Sequence, residues 1–444
     1  MSPPPTPTPP PSSATSTSAP TPPCAKASKP SPAGTNNTTA NNSPQTNPIL
    51  HRHRQPHRLA QILNLVILGM NNDKHIGIAT FFDDNFGTCL QAYALQTVLN
   101  KLGYKSEIIR YYRGSKNIKT ESRWKKLFRY SPSIVWKYLT QRAIIERKRA
   151  AFIKFRAANM TFSPEAYYRD SDLKALENKY SAFVCGSDMI WSEDFQDDWS
   201  FLYLSFAPKM RCVAYAPSFG KNHLSKENIK VCTSYINNIG HLSCRESAGV
   251  ELIKRSFGLE ATHVMDPTLL LSAEEWGNAI SRKNRLVEKP YNLVYCFLGT
   301  KNGREDIFEQ IKLQKDRELV FLSGADGNYK KYMYKNEAGP FEFVQMYRDA
   351  EFVITDTFHG MLFAIIFRKP FVVLAKEPFG ISADRLKFTL SSLGLEDRYI
   401  QYETIIDEKY LNLDYTSVIP KLKALTISSL DYLKQSLAVA TNNE

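Results

Sequence analysis

The sequence predicts an α/β protein with two Rossmann-like domains, each built on a parallel sheet, preceded by a disordered N-terminal tail. Three observations support this fold class. Short apolar segments with strand composition alternate with helical segments from residue 74 onward. At 444 residues the chain exceeds the usual size of one hydrophobic core. The first 50 residues contain 14 of the 25 prolines and few side chains that could be buried.

The predicted regions are a tail at residues 1–72, a first domain at 73–283 and a second domain at 284–440. The charged, nonperiodic stretch 281–290, which ends in proline, is the predicted hinge. A helical stretch at residues 419–437 is expected to pack back on the first domain. Because Met70 begins the segment MNNDKHIGIATFF, which contains the first predicted strand, we interpret residues 1–69 as an addition to the folded protein or an over-extended start.

Each apolar run bounded by polar or turn-forming residues is assigned to a strand. In the first domain the predicted strands are 75–81, 105–110, 182–185, 212–216, 241–244 and 263–265. In the second domain they are 292–298, 319–323, 352–355 and 371–374, with helices near Glu305, Phe341, His359 and Asp384. Strands that alternate with helices predict parallel sheets, whose carboxyl edges are the usual place for ligands.

The net charge of +13 does not by itself indicate a ligand class. The tail accounts for +5, because it has no acidic residue before Asp73, and the remaining +8 is spread along the chain. The seven cysteines lie at least twelve positions apart, which excludes C-x-x-C zinc and redox motifs and favours a reducing cytoplasm. No apolar run reaches 18 residues, so we expect no transmembrane segment and at most peripheral membrane contact.

The segment VITDTFHGMLFAIIF, residues 353–367, predicts a strand, a polar turn and a helix that begins beside His359. Unpaired amides at such a helix start suit a phosphate or carboxylate, and His359 adds a proton donor. Thr357, His359 and Gly360 are therefore predicted to bind a phosphate or carboxylate group of a substrate. The alternative is that Thr357 or Asp356 only caps the helix while His359 packs against its surroundings.

The segment YSAFVCGSDMIW, residues 180–191, predicts a strand followed by a tight turn that carries Ser187 and Asp188. We predict that Ser187 contacts the same anionic substrate and that Asp188 orients, or takes a proton from, a sugar hydroxyl. The alternative is a turn closed by its own side chains. Asp188, with Asn85 and Asp84 of the loop before the first helix, is assigned to acceptor binding.

The segment LSCRESAGVELIKRSFG, residues 242–258, predicts a short strand that ends at Arg245 and Glu246. An arginine there can hold a carboxylate or phosphate through two parallel hydrogen bonds. Alternatively, Arg245 pairs with Glu246 or another acid as part of the scaffold. Asp266, in the Met-Asp-Pro-Thr loop, either lines the cleft or caps a turn, and we favour the cap.

Several function classes lack their signatures. The sequence contains no G-x-G-x-x-G, no Walker loop and no G-x-S-x-G, which argues against dinucleotide, NTP-loop and α/β-hydrolase chemistry. The acidic run at residues 194–199 fits a solvated loop better than a metal site. We therefore predict no metal and no resident cofactor.

The order of these motifs resembles the polysaccharide pyruvyl transferase family. The resemblance spans roughly residues 76–398 and is carried by DDNFGTCLQAYALQ, GSDMIW, SFG, CRE followed by SAGVEL, DPTLLL, TDTFHG and GISADRLKFTLSSLGLEDR. It implies a glycosyltransferase-B-like pair of Rossmann domains and transfer of an enolpyruvyl group from phosphoenolpyruvate to a sugar as a ketal. The implied acceptor is a glycan or a lipid-linked saccharide of a cell-surface or extracellular polysaccharide.

The resemblance implies that Arg245 holds the donor and that His359 contacts its phosphate or acts as an acid, with Asp188 as the third catalytic candidate. The chain departs from the pattern in two places: Thr357 and Phe358 replace an Arg-Leu pair found in some members, and Met189 replaces a usual Gln. One positive charge expected near the donor is therefore missing. We expect replacement of Arg245 or His359 to cut turnover without unfolding the protein.

Two other function classes remain open. A nucleotide-sugar glycosyltransferase would share the fold and the cleft, and donor preference separates it from a pyruvyl transferase. A noncatalytic carbohydrate- or nucleic-acid-binding protein is suggested by the basic charge and the 23 tyrosines. Because no short stretch combines basic and aromatic residues as a stacking platform does, we expect no nucleic-acid partner.

Overall fold

The computed structural model describes residues 73–113, 132–280, 285–297, 305–312, 317–322, 333–335, 337–376 and 383–442. The predicted tail, the first four residues of the predicted hinge and the start of the GISADRLKF motif lie outside these ranges.

The first sheet has five parallel strands. They are β1 (His75–Ala79), β2 (Lys105–Tyr111), β3 (Phe162–Tyr167), β4 (Ala182–Cys185) and β5 (Cys212–Ala214). Their order is β3-β2-β1-β4-β5. A parallel pair, β6 (Ser243–Cys244) and β7 (Thr262–His263), follows in sequence. Strand β4, next to the central strand β1, is buried along its whole length, as expected for a parallel sheet covered on both faces.

The second sheet has six parallel strands. They are β8 (Tyr291–Tyr295), β9 (Glu318–Phe321), β10 (Met333–Tyr334), β11 (Phe352–Thr355), β12 (Phe371–Leu374) and β13 (Tyr399–Ile400). Their order is β10-β9-β8-β11-β12-β13. In both sheets the chain first winds outward in one direction and then restarts on the other side of the first strand. Ligands of open α/β sheets bind at the carboxyl ends of the strands at this reversal.

Ten helices of seven or more residues lie in the described ranges. They are α1 (Phe86–Lys101), α2 (Pro132–Asn159), α3 (Lys226–Ile236), α4 (Ser247–Phe257), α5 (Ala273–Ala279), α6 (Glu305–Lys312), α7 (Pro340–Asp349), α8 (Phe358–Ile366), α9 (Asp384–Leu393) and α10 (Val418–Ala440). Of the described helices, none is both long enough and apolar enough to cross a membrane.

Local signals explain where several helices begin and end. Asn85 caps α1 by accepting a hydrogen bond from the amide of Thr88 at 3.2 Å. Helices α4 and α9 end at Gly258 and Gly394, whose φ angles of 66° and 74° lie in the left-handed region. Glycine adopts this conformation without the steric cost that a Cβ would bring.

The two sheets share one hydrophobic core, because helices of both halves meet between them. Phe86, at the start of α1, stacks on Phe343 of α7 with ring centroids 4.6 Å apart. Trp276 of α5 contacts Phe363 of α8 at 5.1 Å. Helix α1 is consequently buried on most of its surface rather than along one stripe.

The C-terminal helix α10 contacts the first sheet. The Tyr432 hydroxyl donates to the Ala214 carbonyl at 3.0 Å, and Ser429 Oγ accepts from the Met265 amide at 2.9 Å. Lys74 Nζ donates to the Thr441 carbonyl at 3.0 Å. These polar contacts fix the orientation of an otherwise apolar helix face, in which Leu433 is fully buried.

The predicted fold class is confirmed, since both sheets are parallel and wound with helices. The predicted strands at 182–185, 352–355 and 371–374 have the observed bounds. Three strands were missed: β3, β10 and β13. Strand β3 lies at a sheet edge and contains Pro164, which breaks the apolar pattern, and the other two have only two residues each. The proposed domain boundaries stay a prediction.

The contacts of α10 lead to a test of its contribution to stability. Leu433→Ala should lower the free energy of unfolding by about 2–5 kcal/mol, because it leaves a cavity in the shared core. Ile427→Ala, on the same helix but 49% exposed, should change it by about 0.5 kcal/mol or less. Urea denaturation of the two variants measures both values, and equal destabilisation would contradict the packing described for this helix.

Candidate active site

A cluster of charged side chains lies at the carboxyl ends of strands from both halves of the molecule. It includes residues that follow β4, β6 and β7 in the first half and residues that follow β11 in the second half. The cluster therefore occupies the place that the strand order predicts for a ligand.

Arg245 is at the centre of the cluster and is only 4% exposed. Its Nη1 lies 3.1 Å from Asp266 Oδ2 and 3.9 Å from Asp188 Oδ1, while its Nε donates to Glu246 Oε1 at 2.9 Å. Burial by itself would lower the pKa of the guanidinium, but these carboxylates outweigh burial and raise it. Arg245 is therefore permanently charged and held in one orientation.

His359, in the first turn of α8, reaches the same carboxylate from the other half of the molecule. Its Nε2 lies 3.4 Å from Asp266 Oδ2. Its Nδ1 rests against the start of α1, where a Cβ added to Gly87 would lie only 2.0 Å from that nitrogen. The glycine is required for this close approach, so the position of His359 depends on both halves of the molecule.

Asp266 connects the arginine and the histidine. Its Oδ1 accepts hydrogen bonds from the amide and hydroxyl of Thr268 at 3.0 and 2.8 Å, which is the predicted cap. Its Oδ2 accepts from Ser187 Oγ at 3.0 Å and faces Arg245 and His359. Burial raises the pKa of Asp266, but His359 and Arg245 more than offset this and lower it. Asp266 therefore caps the turn, as preferred from the sequence, and also contacts the other residues of the cluster.

Asp188 has a strained backbone, with φ at 76° in a residue other than glycine. Its Oδ2 accepts a hydrogen bond from Thr88 Oγ1 at 2.7 Å. Burial raises the pKa of Asp188, and His359, Arg245 and Thr88 together bring it below the ordinary value. A carboxylate with a lowered pKa is a weak base, so it is better suited to orient a hydroxyl than to take its proton fully.

Three predicted donor-binding residues have structural partners. Ser187 is fully buried and donates to Asp266 Oδ2. Thr357 caps α8 by accepting from the Gly360 amide at 3.0 Å, and its hydroxyl lies 2.9 Å from Thr355 Oγ1. This is the capping alternative considered for Thr357, and the Gly360 amide is already engaged. The geometry thus supports a scaffold role for these three residues.

The predicted acceptor residues lie at the start of α1. Asn85 Oδ1 caps that helix, so one of its side-chain groups is committed to the fold. Asp84 is exposed and pairs with Arg156 of α2 at 2.7 Å. The structure therefore brings Arg245, His359, Asp188 and Ser187 together around Asp266, while Asp84 lies in an ion pair with α2.

Arg385, in the first turn of α9, is a site residue that motif spacing did not identify. Its guanidinium carbon lies 5.8 Å from the centroid of the Phe358 ring, and that of Arg245 lies 4.3 Å from the same centroid. Burial lowers the pKa of Arg385, and the neighbouring charge of Arg245 lowers it further. Phe358 therefore has two cations beside it, although the turn before His359 contains no arginine.

Two adjoining pockets open beside these side chains. The first is lined by Arg245, Asp266 and Phe358 among others, and the second by Lys221, Asn222, Asp384 and Arg385 among others. Glu246 and Phe388 border both pockets. The starts of α4 and α9, neither of which has a side-chain cap, lie along the second pocket and present partial positive charge to it.

No group of three or more His, Cys, Asp or Glu side chains suited to hold a metal ion was found in the part of the chain that the structure describes.

The sequence contains signals for some of the site residues to which the sequence analysis gave no role or an incomplete one. Asp266 belongs to the DPTLLL motif and follows a strand, so the sequence predicts its position at the sheet edge. The sequence does not predict the contacts of its Oδ2 with Arg245 and His359. Gly87 and Thr88 follow Asn85 in the first helix and signal only a helix start. Arg385 lies 26 positions after His359, within the motif GISADRLKFTLSSLGLEDR, but the motif does not indicate that the arginine reaches Phe358.

Comparison with known proteins shows the family of this chain. A model of the polysaccharide pyruvyl transferase family matches residues 85–377, which is more than half of the chain. The predicted family resemblance is confirmed. A comparison with curated proteins gave no match.

Solved structures with a similar chain course were also found. UDP-GlcNAc 2-epimerase from Methanocaldococcus jannaschii, in complex with UDP-GlcNAc and UDP, is 15% identical with a TM-score of 0.43, covering 79% of this chain and 92% of its own. The enzyme of that name from Neisseria meningitidis is 12% identical with a TM-score of 0.41, covering 80% and 99%. The heptosyltransferase WaaC of E. coli is 14% identical with a TM-score of 0.32, covering 68% and 88%.

The contact between Gly87 and His359 leads to a test of the site geometry. Gly87→Ala should lower transferase turnover about 100-fold, because the added Cβ displaces His359 and a shift of about 1 Å at a reacting group has effects of this size. Gly277→Ala, in α5 with open space around its added Cβ, should leave turnover unchanged. Alanine favours helix in both places, so retained activity in Gly87→Ala would mean that His359 is not held by this contact.

Proposed function

This chain belongs to the polysaccharide pyruvyl transferase family, and we propose that it transfers a pyruvyl group, as a ketal, from phosphoenolpyruvate to a sugar. The acceptor in this proposal is part of a polysaccharide or of a lipid-linked precursor. Phosphoenolpyruvate is a donor substrate here and not a resident cofactor.

One observation supports an anionic donor most directly. Arg245 and His359 come from opposite halves and face one carboxylate oxygen of Asp266. Within the described ranges, Arg245 Nη2 and His359 Nε2 are buried without a hydrogen-bond acceptor of good geometry. Buried donors without acceptors are rare, and a carboxylate or phosphate oxygen of a bound substrate would satisfy both.

The charges of the cleft fit a ligand with two anionic groups only if several sources of positive charge act together. Arg245 and Arg385 oppose Asp188, Asp266 and Glu246, so these side chains give the cluster no excess of positive charge before the donor binds. The uncapped starts of α4 and α9 add partial positive charge along the second pocket. Lys221 also borders this pocket.

We assign the two anionic groups of the donor to the two pockets. The carboxylate lies at Arg245, whose guanidinium is fixed by its acidic partners and still has one free nitrogen in the described structure. The phosphate lies in the second pocket, which is lined by Arg385 and by Ala248 and Gly249 at the start of α4. Phosphoenolpyruvate would then span the distance between the pockets.

The proposed reaction has two steps. Protonation of the donor at C3 gives C2 oxocarbenium character, and one sugar hydroxyl adds to C2 with loss of its proton. The C2–O bond to phosphate then breaks, phosphate leaves with the bonding electrons, and a second hydroxyl closes the ketal and loses its proton. One proton is consumed at C3 and two are released from the sugar, and the departing phosphate takes up the remaining proton, so the products are the ketal and hydrogen phosphate.

Each side chain has one task in this scheme. His359 donates the proton to C3. Asp266 Oδ2, which lies 3.4 Å from His359 Nε2, keeps the imidazole oriented. Asp188, held by Thr88, orients the attacking hydroxyl through a hydrogen bond. Arg245 and Arg385 stabilise the negative charge of the donor and of the leaving group.

One expectation about Arg245 needs correction. Its side chain is 1% exposed and touches three carboxylates, of which Asp266 is fully buried. Removing one partner of a buried ion pair costs about 3–5 kcal/mol, because the remaining charge is left uncompensated. Arg245→Ala is therefore expected to destabilise the protein as well as inactivate it, in contrast to the expectation from the sequence.

A donor assay with a His359 variant tests the proposal. The wild-type protein should release phosphate from phosphoenolpyruvate only when a glycan acceptor is present. His359→Gln should lower this rate by roughly 10²- to 10⁴-fold, which is the usual contribution of a general acid. His223→Gln changes an exposed histidine outside the cluster and should leave the rate unchanged.

Two results would contradict the assignment. Consumption of a nucleotide-sugar in place of phosphoenolpyruvate would indicate a glycosyltransferase of the same fold. A His359→Gln rate close to that of the wild type, with an unchanged melting temperature, would remove the histidine from the mechanism.

The role of Arg385 has its own test. Arg385→Ala should raise the KM for phosphoenolpyruvate by roughly 10- to 100-fold, because a hydrogen bond to a charged group contributes about 1.5–3 kcal/mol. The side chain is partly exposed, so the fold should be retained. Lys387→Ala removes a positive charge from an exposed residue of the same helix and should not change the KM. An equal rise in both variants would mean that only the general charge of the helix matters.

A further inference from the structure

His263 borders the first pocket but has no task in the proposed reaction so far. It is the last residue of β7, it is partly exposed, and it lines the same pocket as Arg245 and Asp266. Strand β7 pairs with β6 so that His263 lies beside Cys244, directly before Arg245 in the chain. The imidazole therefore belongs to the pocket to which the donor carboxylate is assigned.

One hydrogen bond fixes the tautomer of His263. Its Nε2 lies 3.1 Å from the backbone carbonyl oxygen of Arg245. Because a carbonyl oxygen can only accept, Nε2 carries the proton and donates it. The other ring nitrogen of a neutral imidazole, Nδ1, is then an acceptor, and it has no hydrogen-bond partner among the described residues. His263 therefore offers one basic nitrogen to a group that enters the pocket.

The surroundings of His263 favour its neutral form. Burial lowers the pKa of the imidazole from its ordinary value, and the Arg245 carbonyl and the charge of Glu246 offset this only in part. Arg245, Glu246 and Asp266 are the charged groups that line this pocket, and the residues that α8 and α9 contribute to it are uncharged. The neutral imidazole can accept a proton near neutral pH, whereas the carboxylates of Asp188 and Asp266, whose pKa values are lowered, are poor bases.

The proposed reaction needs a base that the other site residues do not supply. The first sugar hydroxyl must lose its proton as it adds to C2 of the donor, while His359 is assigned to give a proton and Asp188 to orient the hydroxyl. We propose that His263 is a further catalytic residue, the general base whose Nδ1 takes the proton of the acceptor hydroxyl. This role rests on the proposed function, since it requires a hydroxyl that attacks a donor held at Arg245.

The protons balance when His263 has this role. As the bond between the sugar oxygen and C2 forms, the O–H bond breaks and its proton moves to Nδ1, which gives an imidazolium. The imidazolium then releases this proton, and the departing phosphate takes it up. The second hydroxyl returns to His359 the proton that it gave to C3. Both histidines are thus restored at the end of each turnover, and no further reactant is needed.

A glutamine variant separates a base from a histidine that only holds the Arg245 carbonyl. Glutamine can donate its Nε2 to that carbonyl but has no basic nitrogen. His263→Gln should therefore lower kcat by roughly 10²- to 10⁴-fold, which is the usual contribution of a general base. The KM for phosphoenolpyruvate should change by about twofold or less, because Arg245 keeps its position.

The pH dependence of kcat is a second readout of the same variant. The wild-type kcat should rise with pH as His263 loses its proton, because only the neutral imidazole accepts one. His263→Gln should lose this rise. His75→Gln changes a partly exposed histidine at the amino end of β1 and should keep both the rate and the rise. A wild-type kcat in His263→Gln, or a raised KM with an unchanged pH profile, would show that His263 is not the base.

The tautomer can be measured without any substrate. Nitrogen NMR of the histidine rings in the full chain should show a protonated Nε2 and an unprotonated Nδ1 for the signal that disappears in His263→Gln. A protonated Nδ1 would overturn the proposal. A wild-type protein that does not turn over phosphoenolpyruvate would refute the proposed function and the base together, whereas an active wild type with an equally active His263→Gln would refute the base alone.

Discussion

The buried carboxylate of Asp266 is the interaction on which the site depends. It is 1% exposed and lies between a guanidinium from the first half and an imidazole from the second. Removing a carboxylate from water is costly unless charged partners and hydrogen bonds replace the water. Thr268 and Ser187 supply the hydrogen bonds, and Arg245 and His359 supply the opposing charge. The energetic need of one acid therefore sets the positions of the two proposed donor-binding groups.

The halves of the molecule must be held at a constant distance for this arrangement to exist. The shared core does this, since rings such as Phe86 and Phe343 stack across the boundary and α10 returns to the first sheet. The close contact between Gly87 and His359 then fixes the position of the imidazole relative to the first half. A loose interface would leave Asp266 with only one of its two charged partners. Packing between the sheets and electrostatics at their edge therefore depend on each other.

The ring of Phe358 lies beside two arginine side chains of the site. The turn before His359 carries no arginine, but Arg245 and Arg385 both approach the Phe358 ring. An aromatic face attracts guanidinium groups, which can stack on it and still direct their hydrogen-bond donors elsewhere. Two cations, one that follows β6 and one in α9, therefore lie beside the same ring.

The sequence alone determined the alternation of strands and helices, because strands buried on both faces leave continuous apolar runs such as residues 182–185 and 352–355. It also located Arg245, Asp188 and His359 after strands, and the parallel arrangement brings such positions to one edge. It did not determine that Thr357 is committed to a cap, that Asp266 joins two halves, or that Arg385 approaches Phe358. Those contacts link residues far apart in the chain, and only the packing of the two sheets decides which of them meet.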